Sequence, residues 1–406
     1  MSSISDVPAS ARHPALAPSS FLPDDGCAGT LIGRVWLPGD EAGPAVVAIR
    51  PDGVFDLSAR FPTVSTLFDA AAPALRAREV AGRRVCGLEE LLSNSVSTVR
   101  NAGQALLLAP CDLQVIKAAG VTFASSLVER VIEEQAGGDP SRADEVRAQV
   151  RATVGDNLSE IRPGSDKAMD LKRMLQARGL WSQYLEVGIG PDAEVFTKAP
   201  VLAAVGFGEE IGIRSDSAWN NPEPEVVLAV NSRGEVVGAA LGNDVNLRDI
   251  EGRSALLLGK AKDNNASCAI GPFVRLFDES FSLDDVRRET VHLSVRGQDG
   301  FELNGINSMA QISRDPLDLV AQTVAAHQYP DGFMLFLGTL FAPVQDRSEP
   351  GSGFTHKVGD LVRIRSALLG ELQNRVVHSE DAPPWRFGLR AFIGNLARRG
   401  LLTHGL

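Results

Sequence analysis

Cysteine is scarce in the 406-residue sequence. Cys27, Cys86, Cys111 and Cys268 stand far apart with no C-x-x-C pair, which excludes a zinc framework and suits free, buried thiols in a reducing cytoplasm. Basic residues are outnumbered, 40 Lys and Arg against 51 Asp and Glu, for a net charge of −11. Without a basic run, nucleic acid and anionic membrane are disfavoured as partners, because neutralising phosphate needs a surplus of Lys and Arg. Long apolar runs are missing too. The stretch from Gly332 to Pro343 falls short of the ~18 residues of a membrane-spanning helix. Residues 1–26 carry Pro, Ser and Asp where a signal peptide would hold a continuous apolar core, so they read as a flexible leader and a cytoplasmic location is expected. There is no internal repeat and no low-complexity tract.

Apolar residues make up 44% and charged residues 22%, a globular composition, and the length predicts two or three domains. From residue 27 to 115 short apolar runs alternate with turn signals. Pro51-Asp52-Gly53 lies between two β-rich runs and predicts a hairpin, so a small N-terminal β-rich domain is expected at 27–115. A larger domain at 116–406 follows. Its stretch at about 126–180 reads as a helical insertion, with apolar residues at helical spacing: Leu127, Val131 and Ile132, then Val146 and Val150, then Met169 and Met174. After Trp181 the chain is β-rich again, and the strands do not alternate regularly with helices. The fold class expected is therefore mainly β with α (α+β), a sandwich or roll and not a doubly wound sheet.

The sharpest local feature is Asn220-Asn221-Pro222-Glu223-Pro224-Glu225 ahead of Val226-Val227-Leu228-Ala229-Val230. On a strand, side chains at i and i+2 share one face, so Glu223 and Glu225 can reach one hard cation. Alone, the pair equally suits a solvated strand end. Asp244 closes the next β-rich run, 19 residues beyond Glu225. A returning strand would bring it beside the pair, giving three oxygen ligands with room for water and substrate, as magnesium prefers. An Asx turn is the competing reading of Asp244.

Six phrases in order, GVTFASSLVERVIEE, DAEVFTKAP, EPEVVLAV, GNDVNLRDIEG, AKDNNASCAIGP and DGFMLFLGTLFAP, make the stretch from Lys117 to Leu402 resemble the fumarylacetoacetate hydrolase superfamily. Within it, WSQYLEVGIGPDAEVFTK and WNNPEPEVVL are most like the bacterial 2-keto-3-deoxypentonate dehydratases. The resemblance implies a mixed β-sandwich roll, a homodimer or dimer of dimers, and magnesium or manganese held by Glu223, Glu225 and Asp244, with no organic cofactor. It also implies a small anionic 2-keto acid as substrate. By the same resemblance Lys198 and Lys262 (or Lys260 nearby) stand near the substrate, with Gly338, Thr339, Arg248 and Phe123 as substrate-binding residues. Thr339 equally suits a plain strand residue and Arg248 a surface ion pair with Asp249 or Glu251.

One departure bears on the reaction. Hydrolytic members of the superfamily carry a His and a Glu three residues apart, whereas here the positions hold Ser126 and Glu129, and none of the six histidines is near. Serine is no general base without a partner. The expected activity is thus metal-dependent dehydration of a 2-keto-3-deoxypentonate to 2,5-dioxopentanoate, with Glu129 or a lysine as base and Lys198 or Lys262 as acid. The alternative is carbon–carbon bond hydrolysis of an acylpyruvate. Ser126-x-x-Glu129 also reads as a capping box at a helix start, which competes for Glu129.

Overall fold

The computed structural model describes residues 18–40, 42–137, 139–142, 145, 161–177, 181–347 and 353–403. The expected leader before residue 18, and Val146 and Val150 of the expected insertion, lie outside them. In chain order the first nine strands are β1 (Leu31–Leu37), β2 (Gly43–Arg50), β3 (Gly53–Asp56), β4 (Arg83–Cys86), β5 (Leu106–Leu108), β6 (Val115–Ala119), β7 (Val195–Ala199), β8 (Glu210–Ile213) and β9 (Asn220–Asn221). The rest are β10 (Pro224–Val230), β11 (Val236–Asp244), β12 (Asn246–Leu247), β13 (Cys268–Leu276), β14 (Thr290–Arg296), β15 (Glu302–Ser308), β16 (Phe333–Phe336), β17 (Leu361–Ser366) and β18 (Gly370–His378).

Two sheets carry the fold. The larger runs β4-β3-β2-β1-β13-β11-β10-β16-β6-β7, with β5 also on β1, and the smaller runs β15-β14-β17-β18-β8. They pack face to face where β11 and β13 meet β17 and β18, sharing one core. This is the mainly β, α+β architecture expected, built from mixed sheets with helices on the outside. The hairpin at Pro51-Asp52 joins β2 to β3, with Arg50 opposite Gly53. Through β1, which pairs antiparallel with β13, the strands of residues 27–115 continue the sheet of the C-terminal part.

Two strands at the centre hold the site. β10 (PEVVLAV) is buried along its whole length, and β11 is buried at all but its first residue. Such near-continuous apolar runs mark strands covered on both faces. The tight connection between them, in which Asn231 and Glu235 bond backbone to backbone, fixes an antiparallel register with Glu225 opposite Gly242.

Outside the sheets, the helix Ala124–Ala136 buries Leu127, Val131 and Ile132 against Tyr184, Leu185 and Ile189 of the helix Gln183–Ile189. Their i, i+4 spacing is the apolar stripe of an amphipathic helix. That helix starts two residues before Ser126, and the amide of Leu127 already bonds the carbonyl of Phe123. Ser126 therefore sits inside the first turn and not at the N-cap position, which corrects the capping-box reading. Its side chain lies outside the described residues. All four cysteines are free, three of them buried. Among the described residues no helix is long and apolar enough to cross a membrane.

Candidate metal centre

The register of β10 and β11 assembles the acidic cluster. Continuing it two residues past Glu225, through Pro224 opposite Asn243, sets Asp244 opposite Glu223, and the amide of Asp244 donates to the carbonyl of Glu223 at 3.0 Å. Since residues two apart on a strand share a face, Glu223, Glu225 and Asp244 converge. Their nearest ligand oxygens all lie within 4.8 Å of one another and all three residues are buried. They face a pocket lined also by Ala119, Gly120, Val121, Arg130, Glu194, Phe196, Glu251, Lys262 and Thr339.

Cations balance this charge. Lys262 ends the short helix Leu258–Lys262; its ammonium contacts Glu223 and lies 3.1 Å from Oδ2 of Asp244. Lys198, on β7, is wholly buried, sits 2.7 Å from Oδ1 of Asp244 and donates to the carbonyls of Val245, at 3.2 Å, and of Lys262. It pins the end of β11 to the helix that carries Lys262. Lys260, by contrast, is exposed and pairs with Asp216 at 3.3 Å. Arg130, on the helix Ala124–Ala136, contacts Oε1 of Glu223 and reaches Oε2 of Glu251 at 3.0 Å.

Glu225 is held by the chain after β16, where Leu337 and Leu340 bond the backbone of β10. This brings the amide of Gly338 to 2.7 Å from Oε2 and the hydroxyl of Thr339 to 3.3 Å from Oε1 of Glu225. Gly338 has φ of 100°, a left-handed conformation that suits glycine, and a Cβ there would lie 1.9 Å from Oγ1 of Thr122. Both donors of the G-T pair are thus directed at a carboxylate of the acidic cluster.

Electrostatics divides the carboxylates. Burial works to raise the pKa of Glu223, but Arg130 and Lys262 outweigh it and hold the group down at about 2. Glu225 is pushed well above its ordinary range by burial, then by Asp244 and Glu223. Lys262 is desolvated, yet Asp244 and Glu223 hold its pKa above the ordinary lysine value, so it stays charged. Glu194, half-buried at the pocket, is raised to about 7 by burial and by Glu251. Three buried carboxylates, one of them destabilised by the other two, form an all-oxygen donor set of the kind that holds Mg²⁺ or Mn²⁺.

Other residues singled out in the sequence fall further from the cluster. Glu129 is half-buried on its helix and Phe123 is buried in the main core, and neither lines the pocket. Arg248 is buried, with Nε 2.8 Å from Oδ1 of Asn221 and its guanidinium 5.6 Å from the Trp219 ring, so it ties β9 to the short helix Arg248–Glu251 that follows β12. Among the described residues no histidine lines the pocket.

Three pocket residues escape the reading of motifs. Glu194 precedes Phe196 and Lys198 at steps of two, and its carboxylate lies over Gly120, where a Cβ would come within 1.9 Å of Oε2. The period of two in EVFTK carried that signal. Glu251 reads on the sequence as a surface charge beside Arg248, and Arg130 as the polar face of a helix.

Residues 190–377 match the family model of the fumarylacetoacetate (FAA) hydrolase C-terminal domain. Over 182 residues the chain is 32% identical to 2-dehydro-3-deoxy-D-arabinonate dehydratase of Saccharolobus solfataricus, covering 44% of this chain and 57% of that protein. Over 193 residues it is 31% identical to the probable 2-keto-3-deoxyxylonate dehydratase of Haloferax volcanii, covering 48% of this chain and 63% of that protein. The chain thus spans less than two thirds of the length of these curated relatives. Among solved structures, the apo form of 2-keto-3-deoxy-D-arabinonate dehydratase superposes with a TM-score of 0.60 at 22% identity, over 86% of this chain and 99% of the other. The complex of 2-keto-3-deoxy-D-arabinonate dehydratase with magnesium and 2,5-dioxopentanoate gives 0.55 at 20%, with the same coverage. The likeness to both is one of fold.

Proposed function

We propose that the chain, whose residues 190–377 match the family model of the fumarylacetoacetate hydrolase C-terminal domain, is a metal-dependent dehydratase converting a 2-keto-3-deoxypentonate, the D form favoured, to 2,5-dioxopentanoate. The observation that carries the reading is the convergence of Glu223, Glu225 and Asp244 within 4.8 Å on one wall of a pocket. The names of the two curated relatives, and the product bound in the magnesium complex of a protein of the same fold, support it. The proposal extends to a cytoplasmic homodimer acting without an organic cofactor.

Glu223, Glu225 and Asp244 would hold the cation, Mg²⁺ or Mn²⁺, which when bound neutralises charge developing on the keto oxygen and carboxylate of a 2-keto acid. The protein's own groups take different roles. Lys262, kept charged by Glu223 and Asp244, offers a hydrogen bond and a positive charge. Lys198 spends its donors on backbone carbonyls and Asp244, a positioning role. Glu194, poised at about 7, has the pKa suited to take the proton from carbon 3 and return it to the hydroxyl leaving carbon 4. Val121 and Phe196 give the pocket an apolar wall that limits water.

Purified protein incubated with Mg²⁺ and each enantiomer of 2-keto-3-deoxypentonate, with the aldehyde trapped as it forms, tests the reading. Aldehyde from one enantiomer, lost in Glu225→Gln, is expected; no aldehyde from either enantiomer overturns it. Loss of 1,3-diketone absorbance in a parallel assay with an acylpyruvate would favour hydrolysis instead.

A further inference from the structure

Two of the three clustered carboxylates have both oxygens engaged by protein cations. Asp244 lies between Lys198 and Lys262, and Glu223 between Arg130, on Oε1, and Lys262, on Oε2. Arg130 differs from the two lysines in what its other side holds. Its guanidinium forks between Glu223 and Glu251, with Nη2 on the first and Nη1 at 3.0 Å from the second, and all three residues are buried. Glu251 has no place in the acidic triad, yet it lines the same pocket.

A cation drawing on Oε1 of Glu223 must compete with the guanidinium already there. In a buried setting neither a carboxylate nor a guanidinium can be left without its partner cheaply. A second carboxylate on the far side of the fork removes that obstacle, because Arg130 keeps a counter-ion when it yields Glu223. Arginine is suited to this role, since its planar fork presents separate N–H groups to two carboxylates, which a lysine ammonium on a flexible stem does not do with fixed geometry.

We propose that Arg130 is a positioning residue that competes with the divalent cation for Glu223, and that Glu251 sets the cation affinity by holding Arg130 off it. The inference rests on the triad being the metal centre and goes beyond it, since it assigns the affinity of that centre to two residues that are not ligands. The helix Ala124–Ala136 forms one wall of the pocket through Arg130, so the same contact ties that helix to the state of the triad.

Mn²⁺ titration by calorimetry, on wild type, Arg130→Gln, Glu251→Gln and the double variant, tests this without any turnover. Coupling of this kind is worth roughly 5–150-fold in affinity. Arg130→Gln is expected to tighten Mn²⁺ binding at least about fivefold. Glu251→Gln is expected to weaken it by a similar factor in the wild-type background and to do nothing in the Arg130→Gln background. Tightening in the first variant together with silence of the second substitution in the double variant supports the proposal. Unchanged or weaker binding in Arg130→Gln overturns it, as does an equal effect of Glu251→Gln in both backgrounds, which would mean that the carboxylate acts only through its charge. Arg130→Met, which keeps the apolar stem, carries the same test if the glutamine variant does not fold. If wild type binds no Mn²⁺, the metal centre itself fails and this proposal with it; if wild type binds and the variants do not diverge, only this proposal fails.

Discussion

The ammonium of Lys262 lies 3.1 Å from Oδ2 of Asp244 and also touches Glu223, at the centre of the acidic cluster. Two carboxylates share one buried cation, and Glu225 faces both of them. Removing that charge leaves the cluster under-compensated.

Lys262→Met should therefore lose about 3–5 kcal/mol of stability, the range for breaking a buried ion pair from one side. Saturating Mg²⁺ should restore part of this loss, because a ligand that binds only the folded state stabilises it by mass action. Thermal melting with EDTA and with Mg²⁺ measures both. A variant that melts like wild type in EDTA would remove Lys262 as the counter-ion.

Glu225 carries the opposite burden. Its pKa is raised above its ordinary 4.5 in the folded protein, so its contribution to stability is fully present below that value and is lost as pH rises through the folded-state pKa. Glu225→Gln, which mimics the protonated form, should match wild type at about pH 4 and exceed it near pH 8 when both are held in EDTA. With Mg²⁺ the order should reverse at neutral pH, since only wild type keeps its full ligand set. Melting temperatures across that range decide the matter; parallel pH profiles for the two proteins would show that Glu225 is not the strained member.

For Glu194 the expected signature is kinetic. As a proton acceptor it must be ionised, so kcat/KM should rise as pH increases through about 7, where burial and Glu251 have set its pKa. Glu194→Gln should abolish that limb and lower kcat by roughly 10²–10⁴-fold, the usual worth of a positioned acid or base. Mn²⁺ affinity should change little. A variant that keeps the limb while losing metal would make Glu194 a part of the metal centre and not the proton carrier.

The triad was legible because its logic is local to one hairpin. E-x-E places two side chains on one face, and an apolar run, a turn and a second apolar run return Asp244 to the level of Glu223. The sheets were legible for the same reason, from apolar runs bounded by turns such as Pro51-Asp52-Gly53. Arg130 and Glu251 were not, since a charged residue on an amphipathic helix or beside a turn has the same local pattern whether it faces solvent or a carboxylate from another element. The contact between Arg130 and Glu223 joins residues 93 apart in the chain, and no local period encodes it. Glu194 lies between these cases: the alternation through Phe196 and Lys198 pointed it at the pocket, but reading the motif for its lysine alone passed over it. Ser126 shows the reverse error, in which a complete capping signature was overridden by the backbone entering the helix two residues earlier.

The G-T pair yields a prediction about rank. The amide of Gly338 lies 2.7 Å from Oε2 of Glu225, and the hydroxyl of Thr339 lies 3.3 Å from Oε1, so the backbone donor makes the closer bond. Gly338 also needs its left-handed conformation to deliver that donor. An added Cβ would collide with Thr122, and a displaced backbone would take the amide with it. Gly338→Ala should cost about 1–3 kcal/mol in strain and weaken Mn²⁺ binding, because Glu225 loses the contact that fixes its orientation. Thr339→Val keeps the shape, removes only the longer bond and should cost about 0.5–1.5 kcal/mol. Denaturant unfolding and Mn²⁺ calorimetry on the two variants give the order directly. If Thr339→Val weakens the metal as much as Gly338→Ala does, the hydroxyl and not the amide orients Glu225, and the requirement for glycine at this position is one of packing against Thr122 alone.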